Sequence, residues 1–510
     1  MNRIHGIIAT VLLFVVLGGI WFFKFQEAGK DIKVAGDDYQ GYAYIRSAEM
    51  KKQASQRGLK VTFINDKGDY AARLKNFADG KYDAIVLPVN SYLQHGLQYN
   101  YPGVIVAAIA KSNGADAILA FSPIEKVKDL DNDKLKFVYT KDSPSSFLVN
   151  LTRTDFGMDT LETSKAWQHE VTGGSPEVFE LAKKHQGNAF VMWEPDVTRA
   201  VNEIPGIKVV WDSSKFNGYI EDVFVFRRDY VQNHHSDCVK FFEAYFTAMQ
   251  SYRSSNASHA RLIKEMQDMT GCKEDLVEAM TKKIDWHDLQ SNYARQFGLA
   301  TEGKMDGVVN CIAACTNVMV RTKELDKDPL NDPKSIVDAS IIKEVREHML
   351  AEIGNADAAP REFRELTVDE WKSLKEIGAM RVDPIDFLQG ESELDSDSQK
   401  QIDEYAKLLA NNYPDARVVI KGHTGPSVDG DDTENIKLSQ ARADAVVQRL
   451  ITEHVSGDGK TPIPALLPNR FHAVGCGSSE PPARKAGENR LSFNRRKQRV
   501  EFVLYNDVDL

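Results

Sequence analysis

Short apolar runs alternate with amphipathic stretches along the first two thirds of the chain. Ile32–Gly36, Lys60–Ile64 and Val104–Ala110 are rich in Val, Ile and Ala, which is typical of buried β-strands. Tyr42–Arg57 and Asp69–Asp79 have the spacing of amphipathic helices. The alternation predicts an α/β fold with βαβ units around a mostly parallel sheet. Ligands bind such sheets beyond the carboxyl ends of the strands.

The last third of the chain has a different order of elements. Its pattern predicts strand, helix, strand, helix, strand and a final strand, with one face of the sheet buried against the helices. Five of these predicted elements are Val382–Phe387, Ser398–Leu409, Ala416–His423, Leu438–Ile451 and Arg499–Tyr505. Between the two patterns, a charged stretch predicts helices over Asp338–Ile353 and from Thr367 to Ile377, where Glu370 completes a capping box.

An apolar segment stands near the start of the chain. Residues 7–23 carry no charge and would form about 25 Å of helix, slightly short of a bilayer core of about 30 Å. Trp21, Phe22 and Phe23 end this segment, where aromatic rings favour the membrane interface. No A-x-A site follows, so an uncleaved anchor over residues 1–29, with a transmembrane helix at 7–23, is favoured over a cleaved signal peptide.

Composition narrows the function further. The 510 residues carry a net charge of −10, which argues against nucleic acid as a partner because phosphate binding needs concentrated Lys and Arg. The five cysteines are too sparse for a disulfide scaffold. Cys238 with Cys272, or Cys311 with Cys315, could pair, and the sequence does not choose between them. Cys311 and Cys315 have no histidine nearby in sequence, so no metal site is predicted.

Catalytic motifs are absent from the sequence. It contains no G-x-S-x-G, no H-E-x-x-H, no P-loop and no G-x-G-x-x-G. The protein is therefore predicted to be no enzyme and to use no cofactor.

Four segments of the central region carry more specific patterns. Gly36–Tyr42 is an aromatic loop with a glycine, Leu74–Ala84 has a turn glycine before Asp-Ala, Lys141–Ser146 is a serine-rich helix start, and Gly187–Pro195 ends in Trp-Glu-Pro. In this order they resemble segments of periplasmic solute-binding proteins of the sulfonate, nitrate and thiamine-precursor type, the receptors of ABC importers. The resemblance implies a two-lobed periplasmic-binding-protein fold over residues 30–324, with a small-molecule solute bound between the lobes.

The expected cleft combines aromatic walls with a helix start. Tyr and Trp rings are suitable walls, and the free N–H groups at the start of a helix suit an anion. The expected ligand-binding residues are Asp38, Tyr39, Gly41, Tyr42, Asn90, Ser145, Ser146, Trp193 and Glu194. The carboxylates of Asp37, Asp38 and Glu194 favour a solute with a cationic part, unless they point to solvent.

The C-terminal stretch carries four ordered motifs. They are Gly422-His423-Thr424 at a strand end, Asn435-x-x-Leu438-Ser439-x-x-Arg442-Ala443, Gly475-x-Gly477 followed by Pro481, and Arg499-Val500-Glu501. Together they resemble the OmpA-like peptidoglycan-binding domain, an α+β fold. In that family the arginine before alanine and an aspartate just after Gly-His-Thr hold the diaminopimelate of the peptidoglycan stem peptide.

This chain departs from the family at one half of that clamp. Arg442 is present, and its guanidinium geometry suits a carboxylate. Gly425 stands where the aspartate is expected, and the following loop is longer, so Asp429, Asp431 or Asp432 is the candidate replacement. The residues expected to bind peptidoglycan are Thr424, Asp429, Asn435, Arg442 and Arg499.

The combined hypothesis is a periplasmic protein anchored by one helix in the inner membrane. Its predicted parts are an anchor (1–29), a solute-binding-like domain (30–324), a helical linker (325–379) and an OmpA-like domain (380–510) that attaches non-covalently to peptidoglycan. The alternative is a structural or complex-forming envelope subunit that uses both domains to dock other membrane proteins, without a small-molecule ligand.

Overall fold

The structure is a computed structural model. It describes residues 30–162, 165–300, 307–349, 363–387, 391–414, 416–425, 432–455, 462–463, 465–482, 484 and 488–506. The predicted helix at 7–23 and the candidate residue Asp429 lie outside these ranges. Within them, no helix has both the length and the apolar character needed to cross a membrane.

Seventeen strands are present in the described residues. In chain order they are β1 (Lys30–Gly36), β2 (Leu59–Asn65), β3 (Ala84–Pro88), β4 (Gly103–Ser112), β5 (Asp116–Phe121), β6 (Phe137–Thr140), β7 (Gln168–Val171), β8 (Ala189–Trp193), β9 (Ile207–Asp212), β10 (Glu221–Arg227), β11 (Ile284–Trp286), β12 (Lys375–Met380), β13 (Arg417–Gly422), β14 (His454–Val455), β15 (Pro462–Ile463), β16 (Phe471–Gly475) and β17 (Val500–Asn506).

Nineteen α-helices are described alongside them. They are α1 (Ala43–Arg46), α2 (Ala48–Gln56), α3 (Tyr70–Ala78), α4 (Val89–Gly96), α5 (Pro144–Asp155), α6 (Asp159–Glu162), α7 (Gly174–Lys183), α8 (Asp196–Glu203), α9 (Arg228–Asn233), α10 (His235–Arg253), α11 (Asn256–Thr270), α12 (Glu274–Thr281), α13 (Leu289–Ser291), α14 (Gly307–Arg321), α15 (Ser340–Met349), α16 (Val368–Ser373), α17 (Ser396–Asn411), α18 (Thr433–Ile451) and α19 (Arg490–Lys497).

Two mixed sheets form the two lobes of the central region, and residues 30–349 are called the two-lobed domain below. The first sheet has the strand order β11-β4-β10-β3-β1-β2, and the second has the order β7-β6-β8-β5-β9. The chain crosses between them twice, from β4 to β5 and back from β9 to β10. The strands β1 and β3 in the first lobe and β6 and β8 in the second end at the line where the lobes meet. The prediction of alternating strands and helices is confirmed, but the sheets are mixed rather than mostly parallel, because β5 and β10, the strands that enter each lobe after a crossing, pair antiparallel with both neighbours.

Of the predicted linker (325–379), residues 325–349 are part of the two-lobed domain, and Lys375–Met380 is a strand of the C-terminal sheet. Val337 forms a parallel β-bridge with Ile105 of β4. Ile341, Ile342 and Val345 of α15 are fully buried. Apolar positions spaced three and four apart on a helix define one face, and here that face packs on α10.

The C-terminal domain (residues 363–506) has a four-stranded sheet in the order β12-β17-β13-β16. β13 is parallel to β16 and antiparallel to β17, and β12 is antiparallel to β17. The helix α18 packs on β13 and β16. The capping box predicted at Thr367 is present, but its helix ends at Ser373 rather than Ile377.

The first strand of this sheet was predicted in the wrong place. Val382–Phe387 makes only one isolated bridge, from Phe387 to Leu394. The strand is instead Lys375–Met380, which pairs with β17. Its Gly378 lies against the ring of Phe156 in the two-lobed domain, where a Cβ would approach within 2.8 Å. Tertiary pairing therefore selects this weakly apolar segment over the more apolar one that follows.

The two domains are in direct contact. The Tyr413 hydroxyl donates a hydrogen bond to the carboxylate of Asp155, and both residues are buried. Arg381 forms an ion pair with Glu162 at 2.7 Å, and the Asn412 amide donates to the carbonyl oxygen of Asn217 at 2.8 Å. The C-terminal domain is thus docked on the second lobe.

Candidate functional site

The line between the lobes brings together side chains from both sheets. Tyr39 and Tyr42 follow β1, and Trp193 ends β8. Asp116 begins β5 and Asp222 is the second residue of β10, and these strands enter each lobe after a crossing. Since strand ends gather at the crossing points, these five side chains meet there.

The cleft that they surround is almost filled. Its cavity has a volume of about 10 Å³, which is room for roughly one water molecule, whereas small-molecule pockets are usually about 300–1,000 Å³. The lining residues are Tyr39, Tyr42, Tyr70, Pro88, Asp116, Pro144, Trp193, Ile220 and Asp222. Three of the predicted cleft residues, Tyr39, Tyr42 and Trp193, are among them.

Two tyrosines close the cleft from the first lobe. Their rings meet edge to face, with centroids 5.4 Å apart. The Tyr42 hydroxyl donates a hydrogen bond to the carboxyl group of Asp222. Gly41 is needed between them, because a Cβ at this position would stand 2.3 Å from the Tyr39 ring. The predicted role of Gly41 is therefore to seat Tyr39.

The acidic residues predicted at the cleft do not face a ligand. Asp38 has a half-exposed side chain that pairs with Arg46 at 3.1 Å. Glu194 is fully buried and forms an ion pair with Lys283 at 2.5 Å. Glu194 also accepts hydrogen bonds from the Thr198 backbone and hydroxyl. Both carboxylates already have a cationic partner in the protein, and the preference for a cationic solute stays a prediction.

Asp37 is held by a buried arginine that the sequence analysis did not identify. Arg73 is fully buried and pairs with Asp37 at 3.0 Å and with Asp66 at 2.5 Å. A signal was present, because Arg73 lies in the buried stripe of α3 with Tyr70 and Leu74. A charged residue at helical spacing among apolar ones indicates a buried, paired charge.

Asp116 and Asp222 have no cationic partner among the described residues. Asp116 accepts a hydrogen bond from the Ser112 hydroxyl at 2.6 Å. Burial raises the pKa of Asp116 to about 7, and burial also raises the pKa of Asp222 well above its ordinary value. Both carboxyl groups therefore keep their protons in mildly acidic solution, and the cleft carries little net charge.

The remaining predicted residues of this domain do not line the cleft. Asn90 and Ser145 are buried, and the side-chain oxygens Oδ1 and Oγ have no hydrogen-bond partner in the described part of the chain. Ser146 instead lines a separate polar cavity of about 910 Å³, where Arg153, Arg321 and Arg381 also lie. Because Arg381 belongs to the C-terminal domain, local sequence patterns carry no signal for this cavity.

The C-terminal domain has its own cluster of motif residues, at the ends of β13 and β16. A Cβ on Gly422 would stand 2.0 Å from the backbone oxygen of Ser439, and one on Gly475 would stand 2.6 Å from that of Ile436. The backbone of α18 therefore approaches both strand ends too closely for any side chain. Only glycine fits at either position, which explains two of the motifs.

Arg442 lies on α18 and is 7% exposed. Its Nε donates to the carbonyl oxygen of Glu391 at 3.0 Å, and its guanidinium carbon stands 5.0 Å from the centre of the Phe387 ring. No carboxylate pairs with it within the described ranges, and burial lowers its pKa. Its positive charge therefore has no carboxylate counter-ion among the described residues.

Two of the other predicted residues of this site, Asn435 and Arg499, have structural partners. Thr424 is buried, and its Oγ1 has no hydrogen-bond partner in the part of the chain that is described. The Asn435 amide donates to Asp432 at 2.8 Å. Asp432 also accepts from the Ser478 backbone at 2.8 Å, and these hydrogen bonds lower its pKa. Arg499 pairs with Glu501 at 2.6 Å.

Asp432 is therefore committed to the loop after β16 and does not replace the missing aspartate. At Gly425, by contrast, the one described atom that a Cβ would meet is Gln498 Nε2, at 3.8 Å. The position has room for a side chain.

Residues 386–495 match the OmpA family. Over 84 residues the chain is 40% identical to outer membrane porin F of Pseudomonas fluorescens, a stretch that covers 16% of this chain and 22% of that protein. The chain therefore spans less than a quarter of the length of that relative.

The two-lobed architecture has counterparts among solved structures. The periplasmic nitrate-binding protein NrtA from Synechocystis PCC 6803 superposes with a TM-score of 0.51 at 12% identity, over 63% of this chain and 89% of that one. The periplasmic aliphatic sulphonate binding protein SsuA from Escherichia coli gives a TM-score of 0.48 at 13% identity, over 66% and 97% of the two chains. At these identities the likeness shows the fold alone.

The chain thus combines a region with the fold of periplasmic solute-binding proteins and a C-terminal OmpA domain. The predicted fusion is confirmed at this level.

Replacing Asp116 with Asn tests the neutral state of the cleft. In the folded protein the pKa of Asp116 is about 7, against 3.8 ordinarily, so the folded state binds more protons between these values. Its stabilising contribution is complete below about pH 4 and is lost as the pH rises through 7. The free energy of unfolding of Asp116→Asn, measured relative to that of the wild type, should therefore be roughly 2–4 kcal/mol higher at pH 8 than at about pH 4.5.

Urea unfolding followed by tryptophan fluorescence at the two pH values measures this difference. Asp38→Asn, at a half-exposed carboxylate, is the control and should follow the wild type. Parallel pH profiles for Asp116→Asn and the wild type would contradict the assignment.

Proposed function

We propose that this protein attaches non-covalently to peptidoglycan through its OmpA domain and holds the two-lobed domain at the wall within the periplasm. The observation that carries the proposal is Arg442, a sheltered guanidinium without a carboxylate partner in the described residues. A carboxylate of the diaminopimelate stem peptide fits this position, because arginine binds carboxylates with two parallel hydrogen bonds. The proposed role is binding and tethering, without catalysis.

We further propose that residues 7–23 form a single-pass anchor in the inner membrane. Their uncharged length supports this role. The protein would then connect the inner membrane to the wall, because its two ends bind different layers of the envelope.

The filled cleft favours a second candidate function for the two-lobed domain, namely docking of a membrane-protein partner without a small-molecule ligand. The cavity of about 10 Å³ admits no solute in this conformation. To admit one, the lobes would have to move Trp193 of the second lobe away from Tyr39 and Tyr42 of the first, which line the cavity with it. A lobe interface of neutral and apolar character is more stable closed than open in water.

Arg442→Ala should abolish sedimentation of the full chain, purified in detergent, with diaminopimelate-type sacculi. Removing one partner of a sheltered, hydrogen-bonded charge pair costs about 2–5 kcal/mol, which is roughly 30-fold or more in affinity. Lys437→Ala, at an exposed position of the same helix, is the matched control and should sediment as the wild type does. Equal sedimentation of Arg442→Ala would refute the site.

Gly425→Asp should strengthen the same interaction, because it restores the family's aspartate at a position with room for it. One added charge-assisted hydrogen bond is worth about 1–3 kcal/mol, so the affinity should rise about fivefold or more. Asparagine has nearly the same shape as aspartate but no charge. Gly425→Asn therefore separates the effect of the charge from the effect of side-chain volume. No gain for the aspartate over the asparagine would show that Arg442 acts without this second group.

A thermal-shift series separates the docking function from solute binding. Sulfonates, amines and short peptides should leave the melting temperature of the full chain unchanged if the cleft stays closed. A ligand at 100 times its Kd would stabilise the folded state by about 2.7 kcal/mol, which is readily detected. A saturable rise with any of these compounds, lost in Trp193→Ala, would establish a solute site instead.

A further inference from the structure

Three side chains with metal-binding atoms converge at the same end of the C-terminal sheet. They are His423, Cys476 and Glu480, and one ligand atom from each lies within 4.8 Å of the other two. His423 belongs to a motif that the proposed wall contact does not use, and Cys476 stands between two motif glycines. The three residues are separated by up to 57 positions in the chain, so their spacing gave no sequence signal.

Strand pairing places His423 beside Cys476. β13 and β16 are parallel, with Gly422 opposite Gly475 at their carboxyl ends. The pairing continues past both strands, because the Cys476 N–H donates to the Gly422 carbonyl oxygen at 2.9 Å and the Thr424 N–H donates to that of Gly477 at 2.8 Å. The backbone therefore fixes the two side chains as neighbours.

The His423 side chain is buried, and its ring nitrogens lack normal hydrogen bonds. The residue is 1% exposed, and neither ring nitrogen has a hydrogen-bond partner in the described residues. The nearest carboxylate is Glu501, whose Oε2 lies 3.5 Å from Nε2. Buried polar groups are nearly always paired, so Nδ1, which has no partner among the described residues, indicates a missing one. The missing hydrogen bond of His423 is an observation independent of the clustering of the three residues.

We propose that His423, Cys476 and Glu480 bind a divalent transition metal of the zinc class. Imidazole nitrogen, thiolate sulfur and carboxylate oxygen are the three ligand types of protein zinc sites, and the thiolate disfavours calcium and magnesium. Ligand atoms of a tetrahedral zinc site stand about 3.5 Å apart, so the side chains must draw together by roughly 1 Å. On binding, the Cys476 thiol releases its proton to solvent and the sulfur donates an electron pair to the metal.

Metal binding would also require a neighbouring charged side chain to move. Lys421 stands 3.2 Å from Glu480, and its ammonium group must turn away toward solvent when the carboxylate binds the metal. Glu501 is held by Arg499 and lies close enough to His423 to orient the imidazole. A carboxylate that contacts a ligating histidine is the usual outer partner in zinc sites. A water molecule would complete the coordination.

Cobalt is the probe, because a Co²⁺–thiolate bond absorbs in the near ultraviolet. The full chain, purified in detergent, reduced and freed of metal with a chelator, should bind a single equivalent of Co²⁺ with this band, and Zn²⁺ should displace it. Cys476→Ser should lose the band, and Glu480→Gln should weaken Co²⁺ binding by about tenfold or more. Cys272→Ser, at another half-buried cysteine, is the control and should keep the band.

Arg442→Ala should also keep the band, which separates this site from the wall contact. Because Glu480 is exposed, Glu480→Gln serves as the test if Cys476→Ser fails to fold. No thiolate band in the wild type, or an unchanged band in folded Cys476→Ser, would overturn the proposal.

Discussion

The helix α18 lies against the ends of β13 and β16 with no space between the backbones, and the C-terminal domain depends on this contact. Gly422 and Gly475 permit it, since any side chain at either position would overlap the helix. The contact fixes the position of Arg442 relative to the sheet. It also holds the strand pair in which His423 lies beside Cys476. Wall attachment and metal binding, although separate, therefore rest on one helix–strand contact.

The two-lobed domain depends on a different constraint, which is the burial of acidic groups between its lobes. Arg73 neutralises Asp37 and Lys283 neutralises Glu194, while burial raises the pKa of Asp116 to about 7. Aromatic rings fill the space between the lobes beside these groups. Burying a charge without a partner is costly, so such pairing is expected wherever a polar cleft becomes a closed interface.

Much of the fold follows from local pattern, and much of the site does not. β1, β13 and α18 were predictable because the spacing of apolar residues, and the residues that end each element, lie within a few positions of one another in the sequence. β12 was not, because only its pairing with β17 makes Lys375–Met380 a strand. The pairing of Glu194 with Lys283 joins residues 89 positions apart, which no local pattern records. Arg442 was found through its motif, whereas its isolation from other carboxylates required the structure.

A structure of the full chain with a diaminopimelate-containing stem peptide tests the central claim most directly. The account predicts that a carboxylate of the peptide lies on the Arg442 guanidinium within about 3 Å, with the Phe387 ring beside it. A peptide bound elsewhere on the domain with Arg442 uncontacted, or no peptide bound at a concentration that saturates another OmpA domain, would contradict it.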